Sequence, residues 1–137
     1  MKKNGMGIMA YGSLAHGLLT GAWNADTTFG DDDWRRSGAN FGINSWGPEN
    51  LAANVAVVEK LKVIAGDHGK TIPQLAIAWV LANDAISVAL AGSVTPNNAI
   101  ENLGGDWEMS DDLRKEIDTL VLSEGSGVGT SGMEIAT

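Results

Sequence analysis

The apolar residues of this chain change their spacing several times, and each change predicts an element. Ile8, Met9, Ala10 and Tyr11 form a short apolar run closed by Gly12, the pattern of a buried strand entering a loop. Between Pro48 and His68, Leu51, Val55, Val58, Leu61 and Ala65 recur at helical spacing, with Asn54, Glu59, Lys60 and Lys62 as the polar side. Gly69 stops that helix. Thr71-Ile72-Pro73-Gln74 then reads as a capping box, because the Thr hydroxyl and the Gln side chain can satisfy orphan amides and Pro73 falls in the first turn. The helix it opens, Ile72 to about Leu81, is apolar nearly all round through Leu75, Ile77, Trp79 and Val80, and so should be buried. Asn83 and Asp84 end it. Ala85 to Ala91 predicts a second buried strand carrying Ile86, Val88 and Leu90. After the break at Gly92-Ser93-Val94, Thr95-Pro96 starts a helix that runs through Ile100 and Leu103 to Gly104-Gly105. Ser110-Asp111-Asp112 starts the last helix, with Leu113, Ile117, Leu120 and Val121 on one face.

Two stretches carry no period. Ala22 to Gly47 holds Asp26, the run Asp31-Asp32-Asp33, the triplet Trp34-Arg35-Arg36, and Trp23, Phe29, Phe41 and Trp46. Its length predicts a lid or binding loop, and its aromatic content argues against a plain linker. From Ser123 the chain reads SEGSGVGTSGMEIAT, a Gly/Ser-rich tail expected to stay disordered unless a partner orders it.

The order of elements is strand, long loop, two helices, strand, helix, helix and tail. Helical crossovers between short apolar strands predict an α/β fold with a parallel sheet. Two strands are too few for a stable sheet of that kind, so the chain reads as part of something larger.

Composition narrows the function classes. At 137 residues and 44% apolar content the chain is one domain of ordinary size and not a disordered one. A net charge of −8, with lysines and arginines scattered, argues against a nucleic-acid partner. Cysteine is absent, which fits a cytoplasmic protein, and no stretch has the length of a membrane span or the pattern of a signal peptide.

Candidate chemistry gathers in Gly7 to Gly21, GIMAYGSLAHGLLTG. The backbone amides around Gly12, Ser13 and Gly17, the Ser13 hydroxyl and the His16 imidazole suit an anion such as a phosphate, although a strand followed by a purely structural glycine turn has the same pattern. His16 reads as a surface polar residue or as a phosphate or substrate contact. His68, at a helix end, reads as structural. Asp31, Asp32 and Asp33 lack the spacing of a Ca²⁺ loop and read as a solvated acidic turn rather than a metal site. Arg35 and Arg36 either pair with those acids or clamp a ligand. Trp23, Trp34 and Trp46 either pack the long loop onto the core or wall a substrate site; Trp79 and Trp107 read as core.

Four motifs, in order and spacing, carry a resemblance. They are Tyr11-Gly12-Ser13-Leu14 with Gly17-Leu18-Leu19-Thr20-Gly21; Asp33-Trp34-Arg35-Arg36; Gln74-Leu75-Ala76-Ile77-Ala78-Trp79-Val80-Leu81; and Gly92-Ser93-Val94-Thr95-Pro96 with Glu101-Asn102-Leu103-Gly104. Together they resemble the C-terminal part of aldo-keto reductases, (β/α)₈ barrels that reduce carbonyls with a nicotinamide cofactor. The resemblance implies the seventh and eighth βα units only, a C-terminal fragment of a TIM barrel with two parallel strands and about four helices. A whole barrel needs roughly 250 residues. Residues 1–121 would be the partial, cofactor-binding barrel and 122–137 a flexible tail, with Met1 to Gly7 resembling the end of a preceding helix.

The same resemblance implies site residues. Tyr11 would stack on the nicotinamide ring; Gly12, Ser13, Leu14 and Gly17 would line the pyrophosphate through their backbone. Gly92, Ser93 and Val94 would hold the adenosine phosphate and ribose, and Asn98, Glu101 and Asn102 would face the adenine end. The cofactor implied is NADPH or NADH, because the Arg that commonly grips the 2′-phosphate is missing at Val94 and Asn98. The family's catalytic Tyr, Lys, Asp and His match no position here, so no catalytic residue and no metal ligand is assigned, and the chain alone is expected to be inactive. The alternative is a self-associating structural or interaction fragment, completed by further copies or by a missing N-terminal half.

Overall fold

The computed structural model describes residues 4–37 and 44–127. Residues 1–3, Phe41 and residues 128–137 of the expected tail lie outside them. Strand β1 (Ile8–Ala10) leads into a 3₁₀ segment at Ala15–Thr20; a second 3₁₀ turn covers Trp34–Ser37. Helices α1 (Pro48–Asp67) and α2 (Ile72–Leu81) follow, then β2 (Ile86–Ala89), α3 (Pro96–Leu103) and α4 (Asp111–Glu124). The two strands pair in parallel, with Ile8 opposite Ile86, Met9 opposite Val88 and Ala10 opposite Ala89. Among the described residues an α/β architecture with two parallel strands and four α-helices is thus present in the expected order.

Local chemistry explains the helix ends. Pro48 opens α1, and the Lys70 N–H donates to the Ala65 carbonyl at 2.9 Å to close it. At the start of α2 the Thr71 N–H donates to Gln74 Oε1 at 3.1 Å, one arm of the expected capping box. Thr95 and Ser110 cap α3 and α4 by accepting from the N–H groups of Asn98 and Leu113.

The main core lies among the helices rather than on the sheet. Leu51, Val55, Val58 and Leu61 of α1 meet Leu75 and Ala78 of α2, Leu113 and Ile117 of α4, and Leu18. A smaller cluster of Leu14, Ala76 and Ile77 packs with Ala89 and Ala91 and joins α2 to the sheet. As its composition requires, α2 is buried through Ile72, Leu75, Ala76, Ile77 and Ala78. Trp79 and Trp107 sit half-buried at the core edge, their indole N–H groups donating to Asp118 Oδ1 and the Gln74 carbonyl.

Three expectations need correction. The strands are not buried on both faces: Met9 is 62% exposed and Val88 42%, and Leu90 lies beyond the end of β2 and is also open. A two-stranded sheet covered by α2 on one side leaves alternate residues facing away from it. Asn54 is not on the polar side of α1 but buried at 6% exposure. Its Nδ2 donates to the carbonyls of Ser45 and Ser126, each at 2.6 Å, and its Oδ1 accepts from the Ser126 N–H at 2.8 Å. That clamp accounts for the third difference: α4 runs on to Glu124, which pairs with Lys60, and Gly125 to Gly127 fold back onto the start of α1 instead of leaving the surface.

Replacing Asn54 by Ala strands the Ser45 carbonyl in the interior. It is expected to lower stability by about 2–3 kcal/mol, whereas removing the exposed Lys60–Glu124 pair costs ~1 kcal/mol at most. Urea unfolding with an unchanged slope measures both; equal, small effects would show that the Asn54 clamp does not hold the fold.

Candidate functional site

Parallel pairing fixes where the chemistry sits. Because Ala10 pairs with Ala89 and the Leu90 N–H donates to the Ala10 carbonyl at 2.9 Å, the chain leaves both strands at one edge of the sheet. The loop from Tyr11 and the loop from Gly92 therefore start side by side at the strands' carboxyl ends, where α/β proteins place ligands. Tyr11 stands three-quarters exposed there.

The first loop is tightly wound. The Ala15 N–H donates to Gly12 at 2.8 Å and the Gly17 N–H to Leu14 at 3.0 Å, so the Gly17 amide is already committed within the turn. Gly12 (φ 74°) and Gly17 (φ 114°) take left-handed conformations that glycine adopts freely. A Cβ at Gly17 would lie 2.9 Å from Trp23 Cζ2 and 3.2 Å from Arg35 Nη1, so this glycine lets the long segment close over the loop. Ala15 (φ 46°) and His16 (φ 55°) are left-handed as well, at a cost of roughly 1–2 kcal/mol each. Leu14 anchors the turn against Ala76 and Ile77, and Ser13 is buried with its Oγ lacking a hydrogen-bond partner among the described residues.

Side chains of the aperiodic segment hold the strained pair in place. The His16 ring makes edge-on contacts with Tyr11, Trp34 and Trp46, its centroid 5.6, 5.1 and 5.4 Å from theirs. Arg35 Nη1 donates to the His16 carbonyl at 3.1 Å while its guanidinium lies over Trp23 and Phe29. Asp33 fixes that guanidinium through both carboxylate oxygens, Nε reaching Oδ1 at 2.9 Å and Nη2 reaching Oδ2 at 2.5 Å. These hydrogen bonds hold the Asp33 carboxyl below its ordinary pKa and push Arg35 up. Arg36 pairs with Asp31. Both arginines thus serve the acids, and Trp23 and Trp46 pack inward while Trp34 keeps half its surface open.

The second loop is open. Gly92, Ser93 and Val94 are exposed, Val94 almost completely, and nothing lies within 4 Å of a Cβ built at Gly92. Asn98 is engaged as a cap, its Oδ1 accepting from the Thr95 N–H at 3.2 Å and the Thr95 hydroxyl at 2.9 Å. Asn102 Nδ2 donates to Ser93 Oγ at 3.1 Å and ties the loop to α3, while the Glu101 carbonyl accepts from Gln74 Nε2. The eleven expected positions therefore form two adjoining groups, Tyr11 to Gly17 and Gly92 to Asn102.

The sequence offers His16 as a surface residue or ligand contact and Trp34 and Trp46 as core or substrate wall, but does not join them into one cluster. Its signal was the density of aromatics in a segment without period, which names the residues but not their target. His68 is exposed, its Nδ1 3.0 Å from the Ile64 carbonyl, and plays no part in the loops. Among the described residues no three His, Asp or Glu side chains converge as a metal-ligand group, and no helix is long and apolar enough to cross a membrane.

Comparison with known proteins gives a consistent set. The model of the Aldo/keto reductase family matches residues 1–121. An aldo-keto reductase of Gibberella moniliformis is 34% identical, the match covering 82% of this chain and 35% of that protein. Aldo-keto reductase YhdN of Bacillus subtilis is 31% identical over 88% of this chain and 35% of its own length. Among solved structures, the glycerol dehydrogenase AKR11B4 of Gluconobacter oxydans superposes with a TM-score of 0.77 at 28% identity, over 90% of this chain and 36% of that one. The chain spans about a third of the length of these relatives.

Asp33 with a depressed pKa stabilises the closed segment above the ordinary carboxylate pKa of about 4, and that contribution is lost as pH falls through the folded value. Tryptophan emission of the wild type is thus expected to stay constant from neutral pH down to about 4 and to shift red below it. Asp33→Asn should show the red-shifted emission already at neutral pH; an unshifted spectrum there would remove the clamp from the account.

Proposed function

The chain belongs to the aldo/keto reductase family, and from that premise we propose that it forms the dinucleotide-binding share of an NAD(P)H-dependent carbonyl reductase. In this reading residues 1–121 are the last two βα units of a barrel and 122–137 trail from it. The observation that carries the proposal is the Ala10–Ala89 pairing, which brings the Tyr11 loop and the Gly92 loop to one sheet edge.

Tyr11, exposed at that edge, offers its ring to the nicotinamide. The Gly12, Ser13 and Leu14 backbone lies beside the pyrophosphate, with Gly17 acting through the clearance it gives Trp23 and Arg35. Gly92, Ser93 and Val94 line the adenosine phosphate and ribose, supported by the positive end of α3. Asn98, Glu101 and Asn102 flank the adenine end, where Asn102 already orients Ser93. The open loop at Gly92 and the exposed Tyr11 fit such a group. With no Arg at Val94 or Asn98, the reading admits NADH as well as NADPH. When bound, the reduced nicotinamide supplies a hydride; carbonyl reduction also needs an acid at the substrate oxygen. No residue of this chain is proposed for that step, so the proposal has the chain bind cofactor, in the cytoplasm, without turning over substrate alone.

A second reading has the chain act through self-association, without catalysis. What favours it is the apolar surface formed by Met9, Val88 and Leu90, with Ile100 and Leu103 of α3 also exposed.

Titrating the purified chain with NADPH and NADH by cofactor fluorescence is expected to give weak saturable binding, lowered about ten-fold or more by Tyr11→Ala as stacking is lost. An assay on a reactive aldehyde should give no turnover. Affinity indifferent to Tyr11→Ala would sink the cofactor assignment, and robust turnover the expectation of inactivity. Light scattering tests the second reading, which a clean monomer would eliminate.

A further inference from the structure

A cavity of about 350 Å³ lies between the first 3₁₀ segment, α1, α2 and α4, walled chiefly by aliphatic side chains such as Leu18, Val58, Leu61, Leu75 and Val121. Besides Ser13, polar residues on its wall are Tyr11, Ser45, Asn54 and Asp118; Asn54 is engaged with the Ser45 and Ser126 backbone, and Asp118 with Trp79. Ser13 is different. It reaches the wall from the loop after β1, is 94% buried, and its Oγ makes no hydrogen bond among the described residues. A hydroxyl shut away from water without a partner is a standing cost, relieved by whatever brings a hydrogen-bonding atom to it.

We infer that this cavity is a binding site for one small, largely apolar molecule with a single hydroxyl, which pairs with Ser13 Oγ. Size and chemistry support the class of ligand separately. Aliphatic cavities of roughly 150 Å³ already take up a benzene ring, and small-molecule pockets begin at roughly 300 Å³. The wall suits an apolar body, and the unpaired Ser13 hydroxyl specifies one polar contact, donating or accepting. The site adjoins the first of the proposed dinucleotide loops, since Tyr11, Gly12 and Ser13 stand on its wall, and takes in none of Gly92, Ser93, Val94 and Asn98 of the second. Its occupancy is read by direct binding and stands or falls apart from the proposed cofactor role.

The test is a calorimetric and saturation-transfer NMR titration of the 137-residue chain with 1-naphthol and with 1-fluoronaphthalene, which is similar in shape but lacks the hydroxyl. One equivalent of each is expected to bind, with 1-naphthol favoured roughly five-fold. In Ser13→Ala the preference should collapse to near unity while 1-fluoronaphthalene still binds. Ala76→Met, which extends a side chain into the cavity, should abolish both, and Val80→Phe at its half-buried rim makes the same test if Ala76→Met does not fold. Absence of saturable binding to the folded wild type overturns the inference, as does a preference that survives Ser13→Ala. Binding untouched by the filling variants would also overturn it, placing the probes on the exposed face of the sheet.

Discussion

A helix that is apolar on every face has to be covered on every side, and α2 imposes that condition on the rest of this chain. Ile72, Leu75, Ala76, Ile77 and Ala78 are buried, and Trp79, Val80 and Leu81 are left only partly open to water. The sheet covers one side, with Ala89 and Ala91 meeting Ala76 and Ile77. Helices α1 and α4 supply the other, through the cluster that joins Leu75 and Ala78 to Val58, Leu61 and Ile117. Gln74, the helix's half-buried polar residue, is spent on the neighbours: its side chain caps Thr71 and holds the Glu101 carbonyl of α3. The carboxyl edge of the sheet stays open because the cover comes from its face and not from its end.

A second dependence links the Tyr11–Gly17 loop to the segment that follows it. Ala15 and His16 adopt backbone angles that an isolated peptide would leave, and the loop's own turn bonds are joined by contacts from the segment beyond it in holding them there. Trp34 and Trp46 brace the His16 ring from outside, and Arg35, itself fixed by Asp33, holds the His16 carbonyl. Acid, arginine and aromatics thus form one device in which no member has a purpose alone. The acidic run looked like a solvated turn for a sound reason: Asp31 and Asp32 are exposed, and only Asp33 turns inward.

Element types and order were legible because their causes are local. Caps at Thr71, Thr95 and Ser110, prolines at helix starts and the period of α1 act within a few residues. What the pattern could not reveal was what lies opposite. Ile86, Val88 and Leu90 read as a buried strand because their side chains call for burial, yet among the described residues β2 packs chiefly against α2 and β1 and leaves Val88 and Leu90 open. Asn54 read as a surface residue because amides prefer water; its burial depends on the backbone of Ser126, 72 residues away, and no periodicity carries that. The Gly/Ser composition after Ser123 signalled weak packing, but hydrogen bonds from Asn54 need no side chain on the tail. The candidate site divided along the same line: the position of the Tyr11 and Gly92 motifs after the two strands was legible, while the mutual contacts of His16, Trp34 and Trp46 were not, because their spacing in sequence follows no element.

Charge sets the terms on which an anion can meet these loops. Neither the Tyr11–Gly17 loop nor the Gly92–Asn102 stretch contains a Lys or Arg, and the nearby Arg35 is committed to Asp33. With a net charge of −8 the chain as a whole repels a dinucleotide at long range, over distances that physiological salt cuts to about 8 Å. In the proposed role, the donors that these two loops offer a pyrophosphate are neutral: backbone amides, the positive end of α3, and hydroxyls such as Ser93. Such donors depend on direction rather than on charge, and they hold an anion only if the backbone is kept in one shape. Under the proposed cofactor role, that requirement gives the strained turn and its aromatic brace a purpose. A site furnished with lysines tolerates a mobile loop; one furnished with amides has to be rigid before its ligand arrives.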